Sequence, residues 1–173
     1  YLDSNHSVYI FGGMGNESGD QVIGRCYFHD FYKVDLQEMR VQKLWDISEG
    51  QPNMVPAQDM VILNDSCFYV LRYPESVSNS FLHLYRFSVE DGSCHILGDS
   101  IPIYSDKITT NARLYYNERQ SRLFVTVQET SDDVSSKFSV YSLLFPPVSL
   151  EKYTANNGGG NASHVWLVLV AAV

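Results

Sequence analysis

Three strand-like segments centred on a tyrosine recur along this chain at intervals of about fifty residues, and such self-similarity constrains the fold before any single motif does. Phe28-His29-Asp30-Phe31-Tyr32-Lys33-Val34-Asp35-Leu36, Phe81-Leu82-His83-Leu84-Tyr85-Arg86-Phe87-Ser88-Val89 and Lys137-Phe138-Ser139-Val140-Tyr141-Ser142-Leu143-Leu144-Phe145 align on Tyr32, Tyr85 and Tyr141. Upstream of each lies a second apolar segment: Val8 to Gly13, Cys67 to Tyr73, and Leu123 to Gln128. A polar connection of variable length separates the two, as expected of hairpins on a constant scaffold.

Each tyrosine segment is followed by a turn and a shorter outer strand: Met39 to Trp45, Ser93 to Leu97, and Val148 to Tyr153. Asp59 to Leu63 and Ala112 to Tyr116 supply inner strands to the second and third units, whereas Tyr1-Leu2 is only the tail of one in the first. Tyr (12) and Phe (9) dominate an aromatic content of 13%, and such residues favour half-buried strands over helices. The expectation is an all-β chain of about three four-stranded antiparallel units, 1–50, 51–104 and 105–154.

The first unit carries a more specific pattern. An apolar strand ends in Gly12-Gly13, a long polar connection follows, an aromatic strand ends in Asp35-Leu36, and Trp45 stands in the outer strand. In this order the unit resembles a kelch repeat, and the resemblance implies a β-propeller. The scaffold positions it marks are Gly12, Gly13, Tyr32, Asp35 and Trp45, with Tyr85 and Tyr141 repeating Tyr32. Arg72-Tyr73 and Val127-Gln128 replace the double glycine in the later units. Closed propellers have at least four blades, so three units imply an incomplete propeller that needs a second copy or further blades.

Residues 155–164 read as a flexible Gly-rich linker, and 165–173 as a short apolar segment. That run is either the start of a transmembrane helix, with Trp166 at the interface, or a closing β-strand. The first alternative gives the layout of an extracytoplasmic sensory segment of a membrane-anchored signalling protein, resembling bacterial sensors of that kind. The second gives a soluble, cytoplasmic interaction scaffold, to which three unpaired thiols (Cys26, Cys67, Cys94) are suited.

The net charge of −8, with 12 basic residues and no Lys/Arg cluster, disfavours nucleic acid as a partner. A protein or a carbohydrate-like ligand is the expected partner. His29, His83 and His95 show no metal-ligand spacing, no G-x-S-x-G elbow occurs, and the paired carboxylates fall in turns. The copper-oxidase chemistry that some kelch propellers carry finds no matching ligand set here, so no cofactor, no metal and no enzymatic activity are expected. The candidates for ligand contact are Arg72 and Tyr73, where side chains replace glycine, and Arg113. Were the chain part of a sugar-acting propeller enzyme, Asp59 would join Arg72 and Arg113.

Overall fold

A computed structural model describes residues 6–16, 18, 24–63, 65–74, 77–104, 111–130, 136–147 and 167–172. Among them the regular structure is all β, arranged in three antiparallel sheets. The first holds β1 (Ser7–Gly15), β2 (Cys26–Asp35) and β3 (Arg40–Asp46) in that order. The central sheet places β6 (Cys67–Tyr73) beside β7 (Asn79–Ser88) and β8 (Cys94–Tyr104), with β4 (Val55–Pro56) and β5 (Val61–Leu63) both pairing with β6. The third runs β9 (Asn111–Asn117), β10 (Arg122–Thr130), β11 (Ser136–Leu144) and β12 (Leu167–Ala172).

Two apolar cores stack these sheets in a row. Tyr9, Phe11 and Phe31 of the first sheet pack on Ile62, Phe68, Val70, Tyr85 and Phe87 of the central one. On its other face Tyr69, Leu71, Leu82, Leu84 and Ile101 meet Leu114, Leu123, Val125, Tyr141 and Leu143 of the third sheet. The central sheet is therefore covered twice, and all seven residues of β6 are buried. Alternate β6 side chains enter opposite cores, as the two-residue strand period requires.

The three tyrosines point the same way along the stack. Tyr141 faces the central sheet and Tyr85 faces the first. Tyr32 follows inward-facing Phe31 and so faces away from both cores. The sequence repeat is thus a repeat of orientation, and the side of the first sheet that carries Tyr32 corresponds to sides that are covered in the other two.

The double glycine sits at a β-bulge where the β1–β2 register shifts between Phe11 and Gly13. Gly12 has φ +56, and a Cβ there would lie 2.8 Å from the Phe28 carbonyl oxygen, so the bulge excludes a side chain. Asp35 closes the β2–β3 turn by accepting from the amides of Gln37 and Glu38, both at 2.9 Å.

Two expectations are corrected. The three sheets, of three, five and four strands, close into no barrel or ring, so the kelch-type propeller reading does not stand. The expected order holds for the described strands of the first two sheets, whereas in the third β12 takes the place beside β11 expected for 148–153; strand order in any case specifies pairing within a sheet and leaves open whether successive sheets close on one another. The apolar terminus is the second: of its two readings the closing strand holds and the membrane helix does not, since Leu167–Ala172 is a strand antiparallel to β11 with Leu169 opposite Val140. The segment on which the membrane-anchored reading rested is thus part of the third sheet, and no helix among the described residues is long and apolar enough to cross a membrane. As the edge strand of its sheet, β12 satisfies the backbone groups along one of its sides by pairing with β11. The outer strand expected over 148–153 and the linker over 155–164 lie outside the described residues.

Candidate recognition surfaces and a buried polar pair

The face of the first sheet opposite its core is assembled by cross-strand register. Val8, Val34 and Val41 lie abreast, and next to them Ile10, Tyr32 and Lys43. Ile10 is 49% and Val41 63% exposed, and Tyr32, Val8 and Val34 are half-buried. At one margin the Lys43 amine lies 2.7 Å from Asp46 and 3.6 Å from Asp30, and 5.4 Å from the centre of the Tyr32 ring. The hydrogen bonds from Lys43 and Ser48 hold the Asp46 carboxyl down at about 2, and the bond to Asp46 holds the Lys43 amine above the ordinary lysine range. The result is an apolar strip with a fixed ionic rim.

At the other end of the stack, Arg113 and Tyr115 project from β9 on the side away from the central sheet, and Tyr115 lies opposite Phe124 of β10. Arg113 reaches across to the central sheet's side, with Nε 3.2 Å from Gln58 Oε1 and 3.9 Å from Asp59 Oδ2. Asp59 adopts φ +69, a left-handed conformation that aspartate tolerates better than most residues. The Tyr115 hydroxyl and then Asp59 hold the Arg113 guanidinium more firmly protonated. Tyr115, Phe124 and the Asn117-Glu118-Arg119 turn line an open cleft of about 630 Å³.

The structure brings Arg113 and Asp59 together but sends Arg72 and Tyr73 elsewhere. Adjacent on β6, these two enter different cores: Tyr73 the one shared with the third sheet, Arg72 the one shared with the first. Arg72 is only 1% exposed. Its Nη2 lies 2.8 Å from His29 Nδ1, its guanidinium carbon lies 4.9 Å from the centre of the Tyr85 ring and 5.7 Å from that of Phe87, and its Nε has no partner. Strand alternation could place Arg72 opposite Leu71, but it could not reveal that a second sheet covers that face.

His29 is 2% exposed, with its amide bonded to Ser48 Oγ and its ring also bonded to the Pro52 carbonyl. Since guanidinium only donates, Nδ1 accepts from Arg72 and the proton resides on Nε2, the nitrogen that donates to Pro52. Burial and then the Arg72 charge hold His29 below the ordinary histidine range. The spacing of His29, His83 and His95 in the sequence did not signal this pairing.

Cys26, Cys67 and Cys94 are free thiols, and β7 separates the strands of the last two. Among the described residues no group of three or more His, Cys, Asp or Glu side chains could hold a metal ion. Compared with protein families, with curated proteins and with solved structures, the chain matches none. Gly12-Gly13, Asp35 and Trp45 have local roles in this fold: the bulge, the β2–β3 turn and the packing on Val89.

Proposed function

We propose that this chain is a non-catalytic recognition domain that binds a protein partner through the bare face of its first sheet. The observation that supports this reading is the repeated orientation of the tyrosines. The sides carrying Tyr85 and Tyr141 are buried against a neighbouring sheet, whereas the side carrying Tyr32 presents Ile10 and Val41 to solvent. Contiguous exposed apolar side chains with a polar rim are typical of a contact surface, and the Lys43, Asp46 and Asp30 rim supplies orientation.

The test compares proteins retained by the immobilised wild-type chain, by an Ile10→Lys/Val41→Lys variant, and by a Tyr115→Ala variant altered at the far end. Partners retained by wild type and Tyr115→Ala but released by the double variant are the expected result, with circular dichroism showing that all three are folded. Loss of the same partners from Tyr115→Ala alone would move the contact to the Tyr115–Phe124 cleft and overturn the proposal.

A further inference from the structure

We propose that the His29–Arg72 contact is an acid-sensitive latch that docks the first sheet onto the central one. The geometry makes the contact conditional. Arg72 lies in the core between these sheets with one guanidinium bond to His29, and that bond exists only while Nδ1 carries a lone pair. Uptake of a proton by the ring converts acceptor to donor and brings two cations to 2.8 Å in a site that water does not reach.

The groups around His29 offer little to offset that charge. From β6 comes Arg72, with His83 of β7 opposite it in register; from β7 comes Tyr85, and from β8 Cys94, whose burial keeps the thiol protonated. The carboxylates of Asp30 and Asp46 favour the protonated ring, but less than burial and Arg72 oppose it, and both are engaged by Lys43. The bond to the Pro52 carbonyl also favours the protonated ring, again less than burial and Arg72 oppose it.

The direction of the pH effect follows. The folded chain binds this proton more weakly than the unfolded chain, so the contribution of the contact is complete above the ordinary histidine value of 6.5 and is lost as pH falls below it. Trp45, Phe11 and Phe31 share the same interface, so loss of docking exposes an aromatic surface.

Thermal melts of the wild type and of His29→Gln at about pH 7.5 and about pH 5 test the latch, since glutamine can accept from Arg72 without titrating in this range. The wild-type melting temperature is expected to fall on acidification, and the variant to lose at least half of that fall. An equal fall in both proteins overturns the proposal. Should His29→Gln fail to fold, the ring resonances of His29 in the wild type decide: titration below the ordinary value supports the latch, and titration at or above it refutes the latch. Amide protection, taken relative to the intrinsic exchange rate at each pH, is expected to fall in β1–β3 ahead of β9–β11 across the same range, and a simultaneous fall in all sheets would contradict the docking role.

Discussion

Gly92 and Trp45 show how one residue can depend on another far away in sequence. The Trp45 indole donates to the Val89 carbonyl at 2.9 Å and stacks near Phe31, Phe68 and Phe87. Gly92, with φ +74, lies against that ring: a Cβ would stand 2.9 Å from Cδ2 and Cε3, and 3.1 Å from Ile47 Cγ2. Gly50 has a similar φ, +72, with nothing within 4 Å, so it isolates the backbone effect from the clash. Gly50→Ala is expected to cost about 1–2 kcal/mol from left-handed strain alone. Gly92→Ala should cost about 1–3 kcal/mol more, because a ring fixed by stacking and a hydrogen bond cannot step aside. Urea unfolding midpoints of the two variants check this, and equal losses would show that the ring does yield. Trp45 was legible in the sequence as an outer-strand residue, but its contact with Gly92 was not, since the two are joined only by the packing of one sheet on another.

Among the elements, β6 carries both cores. Phe68 is fully buried against the first sheet's aromatics, and Leu71, 1% exposed, is buried against the third sheet. Phe68→Ala is expected to cost about 3–5 kcal/mol and Leu71→Ala about 2–5 kcal/mol, through lost transfer energy and residual cavities. Chemical unfolding measures both, and a loss under about 1 kcal/mol at either site would mean that the corresponding face is not packed. The strands themselves were legible: the runs around Tyr32, Tyr85 and Tyr141 are β2, β7 and β11, and their upstream partners are β1, β6 and β10. The two-residue β4 was not, because Val55-Pro56 is too short to show a period and proline argues against a strand interior. Neither was the partner of the terminal run, because Val165 to Val173 suits a membrane helix and a strand equally until β11 is seen beside it.

For the molecule as a whole, the order of the stack sets the order of local stability. Amide exchange reports the free energy of the smallest opening that frees a given hydrogen bond. Opening β3 or β9 uncovers an edge strand whose sheet is packed on one face only, and it leaves the central sheet intact. Freeing Phe68 or Tyr69 of β6 instead requires breaking pairs to β7 and to β5, and undocking a neighbouring sheet as well. Exchange near neutral pH is therefore expected to be slowest in β6 and β7, intermediate in β2 and β10, and fastest in β3 and β9. Such a gradient would mark the central sheet as the unit on which the outer two dock, and would give the bare face of the first sheet freedom to adjust to a partner without loosening the core. Uniform protection across all three sheets would instead mean that the chain opens only as a whole, in which case acid acting at His29 would unfold the domain outright rather than release one sheet.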